Sequence, residues 1–141
     1  GGQGRRGVAG LVRAGRYGLD NEYVRASNDR ILPILQIESA EGVHNVETIV
    51  STPGIGAILI GPSDLAASLG HLGQPWNDDV VGAIRRVITA ARAARIPVGI
   101  FAADASEAIE YRSWGVTMLG LHSDVRWLTE GIIRQAAALR E

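Results

Sequence analysis

The sequence predicts an α/β fold in which short parallel strands alternate with helical crossovers. Two observations carry this reading. Four brief apolar runs recur between residues 31 and 121, and longer segments of helical period separate them. Ile31 to Ile37 is the first expected strand, followed by a helix from Glu41 to Ser51 that Thr52-Pro53-Gly54 stops. Ala57 to Ile60 is the second strand, with a short helix from Leu65 to Leu69 behind it. A long amphipathic helix from Asp78 to Ala94 follows, and Asn77-Asp78-Asp79 offers caps and negative charge to its positive end. Val98 to Ala102 is the third strand, with a helix from Ser106 to Trp114. Met118 to Leu121 is the fourth, and the chain closes in a helix from Val125 to Arg140.

Four such units form a small open sheet or half of a TIM (βα)8 barrel, which needs about 250 residues when complete. The 141-residue chain has no initiator methionine and opens in what reads as loop, so it is expected to be a fragment of a longer protein. Residues 1–30 are expected to be loop with a short helix around Asn21 to Ser27, leading into a half-barrel of four βα units over residues 31–141.

Composition excludes several chemistries. There is no cysteine, hence no disulfide, thiolate site or cysteine nucleophile. All 14 basic residues are arginine, so the chain has no lysine amine for a Schiff base. The arginines are scattered among 15 acidic residues without a basic stripe, which argues against nucleic acid as a partner. No apolar run is long enough to span a bilayer, and the glycine-rich, basic Gly1 to Gly10 lacks the apolar stretch of a signal peptide. The expectation is a soluble, cytoplasmic protein without a membrane partner.

Two carboxylates stand out by position. Glu38 ends the first strand, and Asp64 follows the second after Gly61-Pro62-Ser63. In parallel α/β folds the carboxyl ends of the strands carry the active site. Two acids converging there suit a hard divalent cation such as Mg²⁺ or Mn²⁺, whose remaining positions go to water and ligand oxygens. Each acid taken singly reads as a solvated or helix-capping residue, and Gly61-Pro62 taken singly as a turn; the pairing makes the metal reading. The backbone N–H groups of Ser63 and Asp64 open a short helix and could receive an anion. Gln36, two residues before Glu38, projects to the same side and could hydrogen-bond a carbonyl or enolate oxygen. Together these residues predict a small, anionic, oxygen-rich ligand.

Gln36-Ile37-Glu38, a 26-residue interval between the two acids, and Gly61-Pro62-Ser63-Asp64-Leu65 with Ser68-Leu69-Gly70 resemble the HpcH/HpaI aldolase family. The resemblance extends upstream through Arg6-Gly7, Arg13-Ala14, Tyr17-Gly18, Tyr23 and Asn28, and downstream through Gly99-Ile100 and Gly115. It implies the C-terminal half, the last four βα units, of a TIM barrel. It also implies a class II aldehyde-lyase (carbon–carbon lyase) that reversibly cleaves a 4-hydroxy-2-oxo acid to pyruvate and an aldehyde. By the resemblance Glu38 and Asp64 are metal ligands for Mg²⁺, Mn²⁺ or Co²⁺. Gly61, Pro62, Ser63 and Asp64 hold the 2-oxo acid, with its carboxylate on the Ser63 and Asp64 amides, Gln36 lies near the substrate oxygens, and Phe101 lines the pocket. The family's catalytic histidine and substrate-binding arginine belong to the N-terminal half, so the fragment alone is expected to be weak or inactive. The family also implies a homo-oligomer, a part that Leu128, Ile132, Ile133, Ala136 and Leu139 at helical spacing could play.

The sequence departs from the family at two places: Gly56 stands where Asp is common, and His122 where a small residue is usual. His44 reads as a surface residue, His71 as a loop histidine, and His122 as within reach of the strand-end bowl. Trp76, Trp114 and Trp127 read as packing residues. Two alternatives stand beside the aldolase: an acyl-CoA lyase of the citramalyl- or malyl-CoA type, and a non-catalytic remnant serving as an oligomerisation module.

Overall fold

A computed structural model describes residues 7–140; of the residues in the sequence motifs, Arg6 lies outside that range. The chain divides into two compact units, Gly1–Leu32 and Pro33–Glu141.

In the first unit a tight 3-10 segment, Arg13–Gly18, precedes helix α1, Tyr23–Arg30. Asp20 ties the two together by accepting from Glu22 N at 3.0 Å and Arg30 Nη1 at 3.1 Å. The helix is displaced from the Asn21 to Ser27 expected from sequence, starting at Tyr23 and running on to Arg30, and Ser27 is its buried residue, bonded to the Tyr23 carbonyl.

The second unit is a four-stranded parallel sheet in the order β1-β2-β3-β4, with β1 Ile34–Ile37, β2 Ala57–Ile60, β3 Val98–Ala102 and β4 Met118–Leu121. Three strands match the sequence expectation residue for residue. The first starts at Ile34 rather than Ile31, because Pro33 cannot donate to the ladder and its carbonyl instead accepts from Gly56 N. The expected Glu41 to Ser51 helix is two helices, α2 Ala40–His44 and α3 Val46–Val50, since Asn45 leaves helical geometry at φ −95°, ψ 10°. Asparagine side chains compete with the helical backbone, which favours such a break. Helix α4, Pro62–Ser68, starts three residues earlier than expected, with proline at its first position, where no N–H is needed.

Side-chain alternation gives the sheet two chemically distinct faces. On one, Ile37, Ile60 and Ile100 lie in register and are buried, as are Ile58 and Val98. They pack under α2, α3, α4, α5 (Asp78–Ala93) and α6 (Ala105–Ser113), which contribute Val43, Val46, Leu65, Ile84, Val87 and Tyr111. The other face carries Gln36, Leu59, Gly99, Phe101, Met118 and Gly120. A side chain on Gly99 would meet Met118 Cε at 2.3 Å and Leu59 Cδ1 at 3.1 Å, so this glycine is what lets its neighbours cross the face. The last helix, α7 Asp124–Ala138, has no buried residue and exposes Val125, Trp127, Leu128, Ile132 and Ile133. No helix among the described residues is long and apolar enough to cross a membrane.

Because Ile60 is fully buried at the sheet centre, Ile60→Val is expected to cost about 0.5–1.5 kcal/mol and Ile60→Ala about 2–5 kcal/mol. Chemical denaturation reads both, and equal midpoints for the three proteins would contradict this packing.

Candidate active site at the carboxyl end of the sheet

The face that carries Gln36 ends, one step beyond each strand, in the residues singled out by sequence. Glu38 follows Ile37 at the end of β1, half-buried, and its Oε2 accepts from Gln36 Nε2 at 2.6 Å. On the adjacent strand, Gly61 N donates to the Ile37 carbonyl at 3.3 Å, extending the parallel ladder to the edge of the site. A Cβ built on Gly61 would lie 3.0 Å from Glu38 Oε2, 3.1 Å from Gln36 Nε2 and 3.2 Å from Glu38 Cβ. Gly61 therefore forms a cradle for the Gln36–Glu38 pair. Its φ of −104° is open to any residue, so the requirement for glycine is steric.

Gly61 caps α4, placing Ser63 and Asp64 in the first turn, where backbone N–H groups have no intrahelical acceptor. Pro62 is buried, whereas Ser63 and Asp64 are exposed. The Asp64 carboxylate has no hydrogen bond or ion pair among the described residues. Ser68 Oγ accepts from Ala40 N at 3.0 Å, fastening the end of α4 to the turn that carries Glu38.

The donor set fits a hard divalent cation. Glu38 at the end of β1 and Asp64 in the first turn of α4 are carboxylates that are not fully buried, the donor chemistry such a cation would take together with water and substrate oxygens. Among the described residues no three His, Asp or Glu side chains form a cluster able to hold a metal.

A cleft of about 360 Å³ is lined by Pro62 and Ser63 of the same turn and by Phe101, His122 and Arg126, together with Glu107 and Tyr111. The structure thus brings Pro62, Ser63 and Phe101 onto one cleft, and Gln36, Glu38 and Gly61 into one cradle next to it. Glu107 closes one side: Oε1 accepts from Trp76 Nε1 at 2.6 Å and Oε2 from Ala103 N at 2.7 Å. Trp76 stacks on Tyr111 at 5.2 Å, and Trp114 meets both rings edge-on. Burial pushes the Tyr111 phenol well above its ordinary range, so it stays neutral.

His122 sits at φ 57°, a left-handed backbone that costs a non-glycine residue about 1–2 kcal/mol. Its ring meets Trp127 edge-on at 4.6 Å, and Nε2 lies 3.6 Å from Glu130 Oε2. His44 is exposed, and His71 Nε2 lies 3.0 Å from Asp79 Oδ2, away from the cleft-lining residues. Sequence reasoning passed over Glu107, Tyr111, Ser123 and Arg126. Only the Arg126–Glu130 spacing, an i,i+4 pair, carried a readable signal.

The fold is a parallel α/β half-barrel with Glu38 at the carboxyl end of β1 and Asp64 in the helix turn that follows β2. A family model for HpcH/HpaI aldolase/citrate lyase matches residues 6–130, and the chain belongs to that family. It is 48% identical over 125 residues to a hydroxypyruvate/pyruvate aldolase of Paraburkholderia phytofirmans, covering 89% of this chain and 48% of the relative. It is 41% identical over 134 residues to a 5-keto-4-deoxy-D-glucarate aldolase of Shigella dysenteriae, covering 95% and 50%. The crystal structure of an HpcH/HpaI aldolase/citrate lyase family protein from Burkholderia cenocepacia superposes with a TM-score of 0.93 at 43% identity, covering 98% of this chain and 54% of that one. The chain spans about half the length of the curated relatives it matches.

Two predictions test this geometry. Gly61→Ala is expected to force Gln36 and Glu38 apart and to destabilise the protein by about 1–3 kcal/mol, read as a lower melting temperature; an unchanged melt would show that the cradle has slack. Asp104 caps α6, and bonds from the Ser106 hydroxyl and the Glu107 amide hold its carboxyl below the ordinary range. Its folded pKa is depressed, so its contribution is present above the unfolded value and lost as pH falls through the folded one. Asp104→Ala is expected to lower the melting temperature at neutral pH, with the difference from wild type vanishing in acid.

Proposed function

We propose that this chain is the C-terminal half of a class II aldolase that reversibly cleaves a 4-hydroxy-2-oxo acid to pyruvate and an aldehyde. The observation that carries the reading is the cradle at Gly61, which holds a Gln36-oriented Glu38, while the helix that Gly61 caps carries an exposed Asp64 in its first turn. Family membership and the aldolase names of the relatives support it.

In this reading Glu38 and Asp64 hold a divalent cation, Mg²⁺, Mn²⁺ or Co²⁺, as the oxygen donors at the two strand ends. When bound, the cation supplies Lewis acidity toward the 2-oxo oxygen, a role that needs no lysine. Gln36 fixes the rotamer of Glu38 through its Nε2 and presents its remaining amide hydrogen toward the substrate oxygens. The Ser63 and Asp64 amides donate to the substrate carboxylate, favoured by the positive end of α4. Gly61 and Pro62 shape the floor against which the three-carbon unit lies, and Phe101 excludes water from its methyl side. The base that takes the 4-hydroxyl proton and the arginine that clamps the carboxylate come from the half of the protein outside this chain, so the fragment alone is weak or inactive. The exposed apolar face of α7 packs against another subunit of a cytoplasmic homo-oligomer.

The experiment is pyruvate release from a 4-hydroxy-2-oxo acid by the full-length protein, stripped with chelator and then supplied with Mn²⁺. Activity is expected to vanish with chelator and return with metal. Glu38→Ala and Asp64→Ala are each expected to lose roughly 100-fold or more, since loss of a ligand exceeds the 10–100-fold typical of its supporting residues. Chelator-insensitive turnover would overturn the reading.

A further inference from the structure

We infer that Ser68 is a positioning residue of the acid pair: by bonding the turn after Glu38 it sets the separation of the Glu38 and Asp64 carboxylates, and with it the affinity for the divalent cation. This rests on the function proposed above. Two bonds tie α4 to the end of β1. At the start of the helix Gly61 N donates to the Ile37 carbonyl at 3.3 Å, and at its end Ser68 Oγ accepts from Ala40 N at 3.0 Å. Ile37 and Ala40 flank Glu38 in the chain, and Gly61 and Ser68 flank Asp64, so both acids lie inside one frame closed by the two bonds.

Asp64 and Ser68 are four residues apart and share a face of α4. It is not the face that Leu65 and Ala66 bury in the core. The core contacts hold the helix down, and the Ser68 bond turns the face with Asp64 toward the segment that carries Glu38.

The Ser68 hydroxyl is used differently from others on the helices of this chain. Ser27, Thr89, Ser113 and Thr129 each donate to a carbonyl three or four residues back in their own helix, the common local bond of such side chains. Ser68 makes no such bond among the described residues and serves another element instead. Its partner, Ala40, opens α2, where an N–H has no intrahelical acceptor; Ser39 Oγ takes the Gly42 N–H of the same turn at 3.1 Å. Ala40 is exposed, so water replaces Ser68 as acceptor when the hydroxyl is removed. The fold therefore loses little with this bond. A metal site loses more, because its ligands need to be held within about 0.5 Å of their working geometry.

The test is Mn²⁺ titration of the chelator-stripped full-length protein, read by the electron paramagnetic resonance of free Mn²⁺, with melting curves taken in chelator. Ser68→Ala is expected to weaken Mn²⁺ binding about tenfold or more, as loss of a supporting residue does, to raise by a similar factor the Mn²⁺ that half-activates pyruvate release, and to leave kcat at saturating Mn²⁺ within about threefold. Ser68→Thr keeps the acceptor oxygen and is expected to restore most of the affinity. Asn77→Ala removes a side-chain cap from α5 and measures a purely structural loss: a lower melting temperature with Mn²⁺ binding unchanged. Ser68→Ala that binds Mn²⁺ as wild type does, or Ser68→Thr as weak as Ser68→Ala, would overturn the inference. The two readings fail separately. Wild-type protein that binds no Mn²⁺, or binds it equally well as Glu38→Ala, overturns the proposed function and this inference with it; binding lost in Glu38→Ala but kept in Ser68→Ala removes the inference alone.

Discussion

The alternation of side chains along β1, β2 and β3 is the constraint on which the rest depends. Because Ile37, Ile60 and Ile100 share a register and a face, burying them under the helices leaves Gln36 and Phe101 no choice but the opposite face. Continuing the same alternation beyond the strand ends delivers Glu38 and Gly61 to one place. A slip of one residue would bury Gln36 among aliphatic side chains, where an amide without partners is costly. The packing of the helices and the chemistry of the site are thus consequences of one register.

Within that frame Gly61 has two tasks. Its backbone extends the ladder to β1, and its missing side chain leaves the space that the Gln36 amide and Glu38 carboxylate occupy. Pro62 then starts α4 at once, so Ser63 and Asp64 stand at the site rather than a turn away. The motif Gly61-Pro62-Ser63-Asp64 condenses a strand end, a cradle, a helix start and an acid into four residues. Ser68, at the far end of α4, fixes that helix back to the turn after Glu38.

Much of this was legible in the sequence because it is local. The strands over Ala57–Ile60, Val98–Ala102 and Met118–Leu121 are short runs without a charged residue, and the cap at Asn77 is a side-chain oxygen before a helix. The sequence singles out Glu38 and Asp64 because one ends a strand and the other follows the next strand after Gly61-Pro62-Ser63. What escaped is tertiary or conformational. The break at Asn45 and the shortened first strand depend on single backbone groups. The Trp76–Tyr111–Trp114 stack joins residues far apart in the chain, and no periodicity announces it. The positive φ of His122 has no signal in the local pattern, and the cleft with Arg126 exists only once β4 and α7 are in place.

The central claim is that Glu38 and Asp64 converge on one metal ion. The most direct measurement is anomalous diffraction at the manganese edge from crystals of the full-length protein grown with Mn²⁺ and the pyruvate analogue oxalate. A single strong peak between the two carboxylates, with oxalate oxygens completing the coordination and its far carboxylate near the Ser63 and Asp64 amides, is the expected result. A bound Mn²⁺ that touches neither residue, or touches one alone, would contradict it.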